Sequence, residues 1–317
     1  MKTPNFWRTN NILSIVLKPF GILYYFLYKL RCSANVKPYK SKIPVVCVGN
    51  IITGGSGKTP IAIELANILK GKKKKFCFLS KGYGGKFSGV KEVDSDNARI
   101  FGDEPIILRE YGDVFVSKNR VAGLKYINDL MDRDYDYIII DDGLQNPTFY
   151  KNKSIVVVDG EYGLGNGNIF PSGPLREKFE DIVSKVSCVI IVGEDKHDIA
   201  DLCRKNLVPF INGTIVIKNN DFLEEYVAFC GIGHPEKFKK TLATNAIYYT
   251  NFITFGDHYF YKREDIIALK NLGDKLITTK KDWVKLDEDF RKSIDYIDIK
   301  IDLNHNDFIK ILRLYGV

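Results

Sequence analysis

The densest chemistry in the chain is Gly54-Gly55-Ser56-Gly57-Lys58-Thr59, which follows an apolar run at 45–48 and precedes a helical stretch at 60–69. A strand, a glycine loop and a helix in that order form a phosphate-binding layout. The glycines let backbone N–H groups converge on phosphate oxygens without Cβ clashes, and the helix turns its positive N-terminal end toward the same anion. Lys58 can reach the outer phosphates of a nucleotide, and the Thr59 hydroxyl can ligate Mg²⁺. The usual spacing places a further glycine where Ile52 stands here, so the glycines are compressed. The plainer alternative is a glycine-rich turn that binds nothing.

A phosphate loop of this kind works with a carboxylate at the end of a neighbouring strand. Tyr137-Ile138-Ile139-Ile140-Asp141-Asp142 supplies two, and either Asp141 or Asp142 can hold Mg²⁺ directly or through water; otherwise the acids only cap a strand-end turn. Gly102-Asp103-Glu104-Pro105 opens a helix. Asp103 is then either a helix cap or a base that takes the proton of an attacking hydroxyl near a γ-phosphate. Asp257-His258 poses the same choice between a cap and an imidazole that orients or shares that proton. Arg176 ends a glycine-rich loop that starts after the run at 155–158. Ligands bind at such strand ends in open parallel sheets. A guanidinium there suits a bidentate phosphate contact, or a surface salt bridge.

The elements that must hold these groups are legible as runs. Segments 45–48, 76–79, 137–140, 155–158 and 189–192 are apolar throughout rather than alternating. Strands buried on both faces read that way, which implies a parallel sheet with helices on each side. Helical stretches are expected at 60–69, 105–110 and 120–130, with Lys72–Lys75 as a solvated turn. A second region starts near Phe210, with strands around 214–217, 227–230, 276–278 and 296–301. The first and last of these can pair as a two-stranded connection. A helix over 307–314 closes the chain.

A chain of 317 residues suggests about two domains. Its 45% hydrophobic and 27% charged residues exclude disorder or a fibrous repeat as the main description. The net charge of +8 favours an acidic partner: nucleotide phosphate, nucleic acid or an anionic membrane. None of the six cysteines forms a CxxC pair, which argues against a zinc ribbon or a redox motif. Residues 12–30 are the most apolar stretch, but Lys18, Pro19 and Lys29 interrupt it. That makes a poor membrane span. A helix in the membrane interface fits better, with Tyr24, Tyr25 and Tyr28 at the headgroup boundary and nearby lysines facing anionic lipid. An ordinary buried N-terminal helix is the alternative.

The ordered set of motifs resembles the tetraacyldisaccharide 4′-kinase family of lipid A synthesis. It comprises Val48-Gly49-Asn50, the phosphate loop, Ser80-Lys81-Gly82-Tyr83-Gly84, Gly102-Asp103-Glu104-Pro105 and Asp141-Asp142-Gly143-Leu144-Gln145. Gly165-Asn166-Gly167, Gly173-Pro174-Leu175-Arg176-Glu177, Gly231-Ile232-Gly233-His234-Pro235, Asp257-His258 and Thr278-Thr279-Lys280-Lys281-Asp282 follow. The resemblance implies transfer of the ATP γ-phosphate, with Mg²⁺, to the 4′-hydroxyl of a tetraacylated disaccharide 1-phosphate at the cytoplasmic face of the bacterial inner membrane. It implies Asp103 and His258 as the pair serving the hydroxyl, with Asp142 and Arg176 also in the catalytic cleft. Gly54, Gly55, Ser56, Gly57, Lys58 and Thr59 hold the nucleotide, Thr59 and Asp141 the metal, and Tyr83, Glu104 and Gln145 the lipid acceptor. The implied fold is α/β: a P-loop core with helices on both faces and a smaller C-terminal α/β domain on a two-stranded linker. On this chain it divides as a membrane-associated helix at 1–40, a core at 41–210, the smaller domain at 211–303 and a last helix at 304–317. Lys81, Asn146, Tyr162 and Tyr259 depart from the residues common in the family.

Two other classes compete. A GTP-hydrolysing switch or metal-insertion protein would use Thr279-Lys280-Lys281-Asp282 to read guanine and Gln145 to position water. A binding module for membrane or nucleic acid would use the basic charge, but no nucleic-acid motif is visible.

Overall fold

Continuous apolar runs bury best between two helix layers, and that is how this chain uses them. The computed structural model describes residues 4–33, 37–219, 222 and 224–314. The first strands are β1 (Val45–Gly49), β2 (Phe76–Ser80), β3 (Val90–Glu92), β4 (Asp113–Ser117), β5 (Tyr137–Asp141), β6 (Lys153–Asp159), β7 (Cys188–Val192) and β8 (Phe210–Ile217). Then come β9 (Tyr226–Cys230), β10 (Tyr249–Thr254), β11 (Leu276–Thr279), β12 (Ile294–Ile297) and β13 (Ile299–Leu303). A nine-stranded sheet has the order β13-β8-β7-β6-β1-β5-β2-β4-β3, and a four-stranded sheet has the order β10-β9-β11-β12. From β8 to β4 the large sheet is parallel; β13 and β3 run antiparallel at its two edges. The small sheet is parallel throughout.

β1 lies at the centre, fully buried between β5 and β6. Val46 and Val48 pack with Ile61 and Leu65 of the helix Lys58–Gly71, whereas Val45 and Cys47 face Leu124 and Phe149 on the other side. Sequence order reverses around β1, so a crevice opens at its C-terminal end. Cys47, Cys77, Cys188, Cys203 and Cys230 are free and buried, as small hydrophobes in the layers.

The strand read at 296–301 is in fact two. Asp298 separates β12, which stays in the small sheet, from β13, which pairs antiparallel with β8 from Ile299↔Ile217 to Leu303↔Gly213. The crossover is pinned at Asp298, whose N–H donates to Asn219 Oδ1 at 3.1 Å and whose carbonyl accepts from Lys218 N at 2.8 Å. β3 and β4 escaped the reading of apolar runs, because only Val114-Phe115-Val116 is apolar in β4 and β3 is a short edge.

The N-terminal helix spans Ile12–Ser33 with Pro19 inside it. Its residues Ser14, Leu17, Gly21, Tyr24, Tyr25, Tyr28, Lys29 and Cys32 form a wholly or partly buried stripe at helical spacing. Ile12, Leu13, Ile15, Val16, Phe20, Ile22, Leu23, Phe26, Leu27 and Leu30 are exposed. The apolar surface thus points away from the protein, which rules out an ordinary buried helix. The helix is long and apolar enough to cross a membrane and fits membrane association.

Candidate active site

The phosphate loop follows β1 directly. Gly54 and Gly57 have φ of +126° and +86°, conformations that only glycine adopts without strain. A Cβ at Gly54 would lie 2.9 Å from His234 Nε2 of the small-sheet unit. Gly57 caps the helix Lys58–Gly71. Gly55 leaves open space where a side chain would be, and Ser56 is buried with its hydroxyl unpartnered among the described residues. The departure at Ile52 has a packing cause. Ile52 is buried and bridges Leu175, Thr53 N donates to Pro174 O at 2.8 Å, and Arg176 N donates to Ile51 O at 2.8 Å. The glycine-rich loop that carries Arg176 is therefore stitched along the phosphate loop, and a glycine at 52 would weaken that seam.

The two acids at the end of β5 are not equivalent. Thr59 Oγ1 donates to Asp141 Oδ2 at 3.1 Å. Asp141 Oδ1 is buried with no hydrogen-bond partner among the described residues. Burial and the nearby Glu104 carboxylate push the Asp141 pKa up to about 7, against the pull of Lys58. Asp142 sits beyond the strand at φ +55°. Its Oδ1 accepts from Arg176 Nη1 at 3.0 Å and lies 3.9 Å from Lys58 Nζ. Burial opposes its charge, but Lys58 and Arg176 overcome that and hold it below the usual carboxylate range. Gln145 is spent on protein contacts: Nε2 donates to Asn50 O at 2.8 Å and Oε1 accepts from Arg176 Nη1 at 3.3 Å.

Asp103 and His258 come from the units built on different sheets and meet. Gly102, at φ +89°, is the N-cap of the helix Asp103–Arg109, so Asp103 is its first residue rather than its cap. Asp103 is 2% exposed. Its Oδ1 accepts from Glu104 N at 2.9 Å and its Oδ2 from His258 Nδ1 at 2.9 Å. His258 caps nothing either: it sits at φ +56° after β10, and the next helix starts behind Lys262. Tyr83 is 60% exposed, with its ring centroid 4.8 Å from that of His258.

Sequence reasoning gave Lys281 no role of its own in this pair. Its Nζ lies 3.9 Å from Asp103 Oδ2 and 3.1 Å from Glu104 Oε1. Burial favours a protonated Asp103, yet Lys281 and His258 outweigh it and keep the carboxyl well below its ordinary range. The signal was present in Thr279-Lys280-Lys281-Asp282 but pointed to guanine. Asp282 is fully buried and accepts from Thr279 Oγ1 at 2.7 Å and Tyr261 Oη at 2.9 Å, and it pairs with Lys285 at 2.8 Å. No carboxylate is left to read a base. Lys237 was also missed; its Nζ donates to Gly55 O at 2.9 Å and pairs with Asp159, tying the small-sheet unit to the phosphate loop. It sits on an amphipathic helix with no local motif.

A sequence profile of the family described as tetraacyldisaccharide-1-P 4′-kinase matches residues 13–315. The chain belongs to this family. The tetraacyldisaccharide 4′-kinase of Rickettsia akari is 36% identical over 312 residues, covering 96% of this chain and 94% of the relative. The kinase of the same name from Paramagnetospirillum magneticum is also 36% identical, covering 95% and 94%. A crystal structure of the family from Aquifex aeolicus, titled as an "apo" form in complex with ATP, superposes with a TM-score of 0.75 at 25% identity. It covers 96% of this chain and all of that one. The family resemblance, the α/β core with a parallel sheet and the apolar N-terminal helix expected from sequence therefore stand. The GTPase alternative does not.

Proposed function

We propose that this chain transfers the γ-phosphate of ATP to the 4′-hydroxyl of a tetraacyldisaccharide 1-phosphate in lipid A biosynthesis. The observation that carries the site assignment is the Asp103–His258 hydrogen bond, made between the two sheets beside the phosphate loop. Asp103 is held ionised, so it can accept the proton of the incoming hydroxyl, and His258, bound to the same Oδ2, shares it. Residues 54–59 cradle the nucleotide phosphates, and Lys58 and Arg176, already gathered on Asp142, face the charge that develops during transfer. Tyr83, exposed against His258, and Glu104 flank the acceptor side. Both polar ends of Gln145 are engaged by protein groups, so it supports Arg176 rather than meeting lipid directly.

The residues fit Mg²⁺. Thr59 and the unsatisfied oxygen of Asp141 would hold it, and no group of three or more acidic, His or Cys ligands is present among the described residues. That donor set suits a cation that takes its remaining ligands from phosphate and water. When bound, it supplies charge neutralisation at the phosphates. The exposed apolar face of the N-terminal helix would seat the protein on the cytoplasmic leaflet of the inner membrane, where its lipid acceptor lies.

The test is phosphate transfer from γ-labelled ATP to tetraacyldisaccharide 1-phosphate in mixed micelles. Asp103→Ala and His258→Ala should each lower kcat by about 10²- to 10⁴-fold while ATP still binds. Near-normal turnover in Asp103→Ala would remove Asp103 from the role of base.

A further inference from the structure

The stripe of the N-terminal helix that faces the protein includes Tyr28, whose hydroxyl donates to Glu177 Oε2 at 3.0 Å. The second oxygen of that carboxylate accepts from Gln145 Nε2 at 3.1 Å. Glu177 is 2% exposed and follows Arg176 in the chain. The orientation of the Gln145 amide is set by its surroundings. Nε2 also donates to Asn50 O at 2.8 Å, so a flipped amide would turn its oxygen toward two acceptors. That leaves Gln145 Oε1 to accept from Arg176 Nη1 at 3.3 Å, while the same nitrogen donates to Asp142 Oδ1 at 3.0 Å. A line of hydrogen bonds thus runs from the helix through Glu177 and Gln145 to the guanidinium beside the phosphate loop.

The rest of the helix is fixed to the same loop and to the short helix Phe179–Val183 that follows it. Ser172 Oγ donates to Ser14 O at 2.7 Å, Gly21 allows close approach to Ile169 O, and Lys29 pairs with Asp181 at 2.7 Å. A lipid anchor alone would need none of these contacts. A buried carboxylate that loses one donor leans harder on those that remain, here Gln145 Nε2 and the nearby charge of Lys151. Tyr28 therefore keeps Glu177 from pulling on Gln145 and, through it, on Arg176.

We propose that Glu177 is a positioning residue that couples the N-terminal helix to the phosphate site, so that the docked helix aims Arg176 as well as holding the enzyme at the lipid surface. The proposal rests on the reading that Arg176 acts on the transferred phosphoryl group.

The experiment uses the full chain with Tyr28→Phe, Glu177→Gln, Arg176→Ala and the double variant Glu177→Gln/Arg176→Ala. Each is assayed for transfer to tetraacyldisaccharide 1-phosphate in mixed micelles, for co-sedimentation with phosphatidylglycerol vesicles and for thermal unfolding. Tyr28→Phe removes one donor at a partly exposed position. Glu177→Gln leaves a single acceptor oxygen for two donors. Both should lower kcat about five- to tenfold, the upper end of what a typical hydrogen bond is worth. KM for ATP should stay within about twofold, because the loss falls on the transition state, and vesicle binding should match the unaltered chain. In the Arg176→Ala background, Glu177→Gln should cost nothing further, since Glu177 acts through the missing guanidinium. Unchanged kcat in Tyr28→Phe alongside a disabled Arg176→Ala overturns the coupling. So do losses that multiply in the double variant, or a loss that follows weakened vesicle binding. If Arg176→Ala itself turns over normally, the role given to Arg176 fails first and the coupling falls with it.

Discussion

Asp141 and Asp142 are adjacent carboxylates whose environments drive them in opposite directions, and the difference has a measurable consequence. Asp141 is raised to about 7 from an ordinary value near 4, mainly by burial. A group whose pKa is higher in the folded state favours folding fully below its unfolded value and loses that contribution as pH rises through about 7. Asp141→Asn should therefore stabilise the metal-free protein at pH 8, by on the order of 3–4 kcal/mol, the scale of relieving a buried uncompensated charge, and do little at pH 4. Thermal unfolding at the two pH values checks this, and the same variant should lose Mg²⁺-dependent turnover. Equal effects at both pH values would mean that Asp141 is not a buried, unsatisfied acid. Gly54→Ala tests the phosphate loop itself. It adds strain at φ +126° and a clash with His234, so ATP affinity should fall about tenfold or more, as read by calorimetric titration. The sequence made these positions legible because a glycine loop and a strand ending in acids are local signals. The residues alone left the two acids interchangeable, and only the family resemblance told them apart, because what separates them physically is Arg176, some thirty residues on, and a buried oxygen that no spacing reveals.

At the scale of elements, long uniform runs were readable and short or divided ones were not. β1, β2, β5 and β7 were plain because each is buried on both faces of a parallel sheet. β12 and β13 read as one strand because Asp298, where the chain changes sheets, falls in step with the apolar–polar alternation that continues through Ile299, Lys300 and Ile301. The N-terminal helix was legible as apolar, but its orientation needed the fold. Its small and tyrosine-rich stripe lies on the glycine-rich loop, and its aliphatic side lies open. Leu23→Glu with Phe26→Glu should reduce binding to anionic vesicles at least tenfold, since each buried apolar side chain is worth about 1.5–3 kcal/mol. Thermal stability should stay within about 0.5 kcal/mol, as for exposed positions away from special features. Gly21→Leu should do the reverse. A Cβ there meets Ile169 O at 2.9 Å, so the helix lifts from its loop and stability falls, while the exposed aliphatic side still binds vesicles.

At the scale of the molecule, the base is assembled from both sheets. Asp103 stands on a helix packed against the phosphate-loop helix, whereas His258 and Lys281 arrive from the four-stranded unit that β8 and β13 connect to the core. The ionisation of Asp103 therefore depends on the two units being together. Lys281 is the first of the charges that counter burial there, and its own pKa is raised in return by Asp103 and Glu104 against the cost of burial. An opposite charge at this range lowers a carboxylate pKa by about 1 unit or more. Lys281→Met should thus move the acid limb of kcat/KM upward by about 1 pH unit, because a less stabilised Asp103 must lose its proton before it can accept one. On the alkaline side of that limb the loss should be smaller, since Asp103 is then ionised in either protein. A Lys281→Arg variant keeps the charge and should leave the limb near its original place. An acid limb that stays fixed in Lys281→Met while kcat falls equally at every pH would assign Lys281 to holding the two units together, and would take from it any part in setting the charge of the base.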